Sequence, residues 1–130
     1  MLLRQGPDGI VQGLIRIKAV SRGLGESMPM VVATTVLELE GLALSFTAPT
    51  RFAPIGIAGE ASNLTNAGAA DFPAVLPGNP VPYHVVMAVA ENPSWYFTFV
   101  LVGPNRGAEK AIAEDNLRAF NHVLASFVAN

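Results

Sequence analysis

The sequence predicts an α+β domain: a mostly antiparallel β-sheet of five or six strands with a long C-terminal helix packed on one face. Three observations predict it. Residues 9–20 alternate apolar and polar side chains, the period of a half-buried strand. Residues 83–90 and 95–102 are two β-rich runs separated by Glu91-Asn92-Pro93-Ser94, which is hairpin chemistry. Residues 108–128 carry apolar side chains at three- and four-residue spacing, the mark of a helix with a broad buried stripe. The chain has 130 residues, the size of one domain with one proper core.

In the first strand Val11, Ile15, Ile17 and Ala19 point one way, and Gln12, Leu14, Arg16 and Lys18 the other. Residues 21–29 (SRGLGESMP) are loop chemistry. Residues 30–40 read as a second strand, with Val31, Ala33, Thr35, Leu37 and Leu39 on one face and Glu38 and Glu40 on the other. An antiparallel pairing that sets Lys18 against Glu38 and Arg16 against Glu40 also sets Ile17 against Leu39 and Ala19 against Leu37. Charge and apolar matching therefore select one register. Residues 42–47 continue with Leu42, Leu44 and Phe46 on one face, after either a tight turn at Glu40-Gly41 or a bulge at Gly41.

Residues 49–82 hold six of the ten prolines. That density interrupts both helix and sheet, so a long loop or short extended pieces are expected, with one short strand at 55–58. In the hairpin a four-residue loop sets Ala90 against Trp95, Ala88 against Phe97, Val86 against Phe99 and His84 against Leu101. The other face carries Tyr83, Val85, Met87 and Val89 with Tyr96, Thr98, Val100 and Val102. Both faces are apolar, so both need cover. The C-terminal helix covers one with Ala113, Leu117, Phe120, Leu124 and Phe127. Asp115, Arg118 and His122 lie on its solvent side, Asn116 near the apolar stripe reads as a capped or rim amide rather than a functional one, and Glu114 precedes Arg118 by the four residues that suit a surface pair. The second sheet face requires another layer, a partner subunit or a ligand.

Composition sharpens that requirement. Charged residues make up 14% and mean hydropathy is +0.40, against about 25% charged in an average soluble domain. The surplus apolar surface is assigned to a homo-oligomer interface, a dimer, or to a cavity for an apolar small molecule, the plainer alternative being a monomer with an unusually apolar surface. It is not assigned to a membrane span, because the apolar runs at 85–90 and 97–102 are far short of ~20 residues. The start, MLLRQGPD, has no long apolar run and does not read as a signal peptide, so a cytoplasmic location is expected. Eight basic against ten acidic residues give a net charge of −2, which argues against nucleic acid as a partner. The absence of cysteine excludes disulfides and thiolate metal sites.

Chemistry-bearing motifs are few. There is no phosphate loop, HExxH or GxSxG, and Gly23-Leu24-Gly25 lacks the third glycine of a dinucleotide fingerprint. No catalytic residue, metal ligand or cofactor is therefore assigned. Five residues stand out as ligand-binding candidates. His84 sits on an apolar strand face at the exit of the proline-rich stretch and can donate or accept a proton. Trp95 and Tyr96 flank the hairpin turn and Tyr83 lies at its other end, as aromatic surfaces for stacking. Arg51 is the one cation between residues 23 and 105 and a candidate anion contact. The plainer roles are a core-edge histidine, aromatic packing and a solvated arginine. Glu38 and Glu40 read as a solvated face paired with Lys18 and Arg16 rather than as an acid–base pair.

The strand "YFTFVLVGP" followed by a helix finishing in "VLASF", with "IGIAGEA" upstream, resembles the PsbP-like superfamily of small α/β/α sandwiches over about half of the chain. The resemblance implies a binding or accessory module without its own catalysis and carries over no functional residue. The expected function is a non-catalytic binding or interaction module that self-associates through apolar sheet surface. The alternative is a small-molecule binding protein or small α+β enzyme, with a pocket under residues 49–82 and His84, Trp95 or Tyr96 in its wall.

Overall fold

The two β-rich runs pair as β5 (Tyr83–Glu91) and β6 (Trp95–Pro104) in the computed structural model. It describes residues 2–5, 11–23, 25, 27–41, 45, 52–54, 64–75, 82–105, 107 and 109–127. The turn between β5 and β6 is tighter than the sequence predicts. The Asn92 N–H donates to the Trp95 carbonyl at 3.0 Å. Asn92 Oδ1 accepts the N–H groups of Ser94 and Trp95 at 2.9 and 2.8 Å. Pro93 supplies the fixed φ favoured in such a turn. As a result Ala90 opposes Phe97, Ala88 opposes Phe99, Val86 opposes Leu101 and His84 opposes Gly103, two residues away from the expected register. An even shift keeps every side chain on its face, so small residues still oppose large ones.

On either side of this hairpin lie β2 (Val11–Ser21), paired with β6, and β4 (Thr65–Ala74), paired with β5. Short segments extend the edges: β1 (Leu2–Gln5) along β2 and β3 (Ala53–Pro54) along β4. The order is β1-β2-β6-β5-β4-β3, with all neighbours antiparallel. β3 is a short extended piece of the kind expected within residues 49–82, but β4, ten residues long, corrects the reading of that stretch as a long loop or short pieces. Phe72 and Ala74 are buried while Asp71 and Pro73 are exposed, a strand alternation hidden by the surrounding prolines. β3 reaches only Gly68 and Ala69, so Pro73 lies where an outer strand tolerates proline. The expected strand at 55–58 falls outside the described residues.

The larger correction concerns residues 30–40, which are not a strand. They belong to helix α1 (Met28–Glu40). Ser27 stands at its N-cap, Pro29 in its first turn and Gly41 at its C-cap, where the Gly41 N–H donates to the Leu37 carbonyl at 3.0 Å. Met28, Val31, Val32, Thr35, Val36 and Leu39 recur with helical spacing on one face. The Thr35 hydroxyl donates to the Val31 carbonyl at 2.8 Å, satisfying a buried polar group within the helix. Gly41 therefore ends a helix rather than forming a turn or bulge between strands. Of residues 42–47 only Ser45 is described, bridged to Val75.

α1 packs on the sheet face formed by Leu14, Phe72, Tyr83, Val85, Met87, Val100 and Val102. Helix α2 (Lys110–Ser126) packs on the opposite face, with Phe120 and Leu124 against Ile15, Ala88, Phe97, Phe99 and Leu101. The molecule is thus layered α/β/α, and the sheet face that the sequence left for a partner or ligand is covered by the chain's own α1. Asn116 of α2 is buried directly over Gly13, where a Cβ would stand 2.6 Å from its Oδ1. Only glycine admits that approach. Arg118 pairs with Asp115, one turn back on the exposed face.

The charge contact expected between residues 18 and 38 exists, but it joins helix to sheet. Lys18 Nζ donates to Glu38 Oε1 at 2.5 Å. Arg16 Nη2 lies 2.6 Å from Glu38 Oε2, so Arg16 meets Glu38 and not Glu40. The Lys18 hydrogen bond, aided by the charges of Arg16 and Lys18, holds the Glu38 carboxyl below its ordinary value of 4.5 against the opposing effect of burial. A lowered carboxyl contributes stability that is present above the unfolded value and lost as pH falls through the folded one. Partly exposed pairs of this kind contribute ~0.2–1 kcal/mol each. Glu38→Gln is accordingly expected to lower the thermal midpoint at pH 7, and the gap from the unaltered protein to close as pH drops below 4.5. A gap that persists unchanged to strongly acidic pH contradicts this account.

Candidate functional site

Neighbouring residues in a strand point to opposite sheet faces, and this separates the sequence-predicted candidates. Tyr83 is buried in the α1-side core, opposite Pro104 and Ala74. His84 is half-buried on the α2 side, opposite Gly103 and Pro73. Tyr96 is buried on the α1 side and Trp95 faces the α2 side, 39% exposed and opposite Ser21. Although His84 and Trp95 share a face, they sit at opposite ends of the hairpin. His84 lies level with Gly103, eight residues along β6 from Trp95, or about 27 Å at ~3.4 Å per residue. Tyr83 and Tyr96 are likewise at opposite ends of the other face. Arg51 lies outside the described residues. The structure therefore does not bring the predicted binding residues into one pocket wall.

Tyr96 belongs to a polar clamp around the hairpin end. The Arg22 guanidinium lies 5.0 Å from the Tyr96 ring centroid, a cation–π contact. Arg22 Nη1 donates to the Asn92 carbonyl at 2.7 Å and stands 3.9 Å from Glu91 Oε1. The Arg22 N–H donates to the Ser94 carbonyl at 3.0 Å. From the other side Asn66 Nδ2 donates to Glu91 Oε1 at 2.6 Å. Asn66 adopts φ of 52°, a left-handed conformation that asparagine tolerates better than most residues. These contacts tie β2, β4 and the turn together, and they occupy a face of the aromatic ring singled out for stacking. Among the described residues no three His, Asp or Glu side chains converge, and no helix is long and apolar enough to cross a membrane.

The feature that sequence reasoning missed is the outer face of α1. Its inner face is apolar, and its outer face carries no charge over the first three turns either. Met30 is 52% exposed and Leu37 66%, with exposed Ala33 and Thr34 between them. A helix that is apolar all round is normally covered on both sides. The helical spacing of residues 30, 33, 34 and 37 is the signal that reveals this stripe. A second exposed apolar group, Ile17 and Ala19 with Trp95, lies on the α2 side of the sheet. No protein-family model matches the chain, and no curated protein matches it.

Proposed function

We propose that this protein is a non-catalytic interaction module that self-associates, and that it does so through the outer face of α1 rather than through the sheet. The observation that carries this reading is the exposure of Met30 and Leu37 on a helix whose other face already fills the core. Isolated exposed apolar residues are ordinary, whereas an apolar stripe along one element marks an interaction surface. Two helices on opposite faces of one antiparallel sheet form the same layer order that the PsbP-like resemblance implies.

Light scattering coupled to size-exclusion chromatography tests self-association. The weight-average mass is expected to rise from monomer toward dimer between about 1 μM and 1 mM, the range of small interfaces. A mass that stays at that of one chain across the range overturns the proposal.

A further inference from the structure

We infer that the outer face of α1 docks against the same face of a second copy, antiparallel, about a two-fold axis passing between Ala33 and Thr34. This rests on the reading that the chain self-associates through α1, and adds the direction and the register of the two helices.

The first argument is shape. Large and small residues are arranged symmetrically along the stripe: Met30, then Ala33 and Thr34, then Leu37. With the axis between the two small residues, the helices approach closely at their crossing point. Met30 of each copy then meets Leu37 of the other at both ends. A two-fold contact of this kind is self-complementary and closes as a dimer.

The second argument is charge. α1 has no acidic residue in its first turn, no basic residue in its last, and no side-chain hydrogen bond from its N-cap Ser27. Of its two acids, Glu38 is engaged with Lys18 and Arg16, while exposed Glu40 stands at the C-terminal end, the negative pole of its own helix. In the antiparallel arrangement Glu40 lies beside Ser27 of the second copy, at the positive pole. A parallel arrangement would set Glu40 against Glu40. One helix pair buries less than the ~1,200–2,000 Å² of a standard interface, so the dimer is weak and concentration-dependent.

The chain contains no cysteine, so introduced thiols report contacts without background. A disulfide needs Cα atoms within about 7 Å. Ala33→Cys and Thr34→Cys, next to the axis, are each expected to cross-link with themselves under mild oxidation. Met30→Cys alone and Leu37→Cys alone are expected not to, because the paired positions stand about 10 Å apart along the helices at ~1.5 Å per residue. A mixture of those two variants is expected to cross-link. All four positions are exposed, and circular dichroism checks that each variant stays folded. Leu37→Glu is expected to weaken the dimer by more than about tenfold, and Glu40→Lys to weaken it while leaving the monomer's thermal midpoint unchanged or raised.

Self-linking of Met30→Cys as efficient as the mixture overturns the antiparallel register. A dimer by light scattering that forms none of these cross-links, or that survives Leu37→Glu, places the contact away from α1; it overturns the inference and the assignment of the contact to α1, while self-association itself stands. A monomer at every concentration, with no cross-link, overturns both.

Discussion

Leu39→Ala is expected to lower folding stability by about 2–5 kcal/mol, and Leu37→Ala to change it by less than about 0.5 kcal/mol. The two leucines are two positions apart. In a strand they would share a face and respond alike. In helix α1 they are about 200° apart around the axis. Leu39 is 1% exposed within the core shared by Leu14, Val85 and Val102, whereas Leu37 projects outward. Truncating Leu39 removes buried methyl groups and leaves a void between α1 and the sheet, and both effects add to the cost. Truncating Leu37 removes surface that the folded monomer leaves in water. Urea denaturation of both variants at a dilution where the protein is monomeric measures the difference. Equal losses at the two positions would restore the strand reading of this segment and remove α1 from the sheet.

That contrast also explains what the sequence conceals. β2, β5, β6 and α2 are legible because their apolar residues repeat at one period. Residues 31–37 are Val-Val-Ala-Thr-Thr-Val-Leu, with no charged position to fix a period, so an alternating pattern can be drawn through them as easily as a helical one. Five β-branched residues among 31–36 favour a strand by intrinsic preference. Burial against the sheet overrides that preference. The helix signals were at the ends, in Ser27, Pro29 and Gly41. β4 was hidden by prolines, although Phe72 and Ala74 alternate correctly with Asp71 and Pro73. The attraction between Lys18 and Glu38 was legible from charge, but a charge match does not say whether its partner rides on a strand or a helix. The scatter of the candidate binding residues was legible in part. Tyr83 and His84, like Trp95 and Tyr96, are adjacent in sequence and so point to opposite faces of any strand that holds them.

On the opposite face the largest single loss is expected at Phe99. β6 is paired on both sides, and Phe99 stands between Ile17 of β2 and Ala88 of β5. Its side chain is fully buried beneath α2 with Phe120 and Leu124. Its ring meets Phe127 edge-on, with centroids 4.9 Å apart and planes at 87°. Ala88 and Ala90 beside it are too small to reach into the space a truncation would leave, and Phe97 is already engaged with Phe127 at 5.2 Å. Phe99→Ala is therefore expected to cost about 3–5 kcal/mol, of which ~0.5–1.5 kcal/mol belongs to the lost aromatic pair. Domains of this size have stabilities of about 5–15 kcal/mol, so the variant approaches the threshold of folding at room temperature. Phe99→Leu restores most of the volume without the ring pair and is expected to recover more than half of the loss. Denaturation of the two variants side by side separates cavity from aromatic contact. Equal stability of Phe99→Leu and Phe99→Ala would mean that the ring pair, not the filled volume, holds α2 to the sheet.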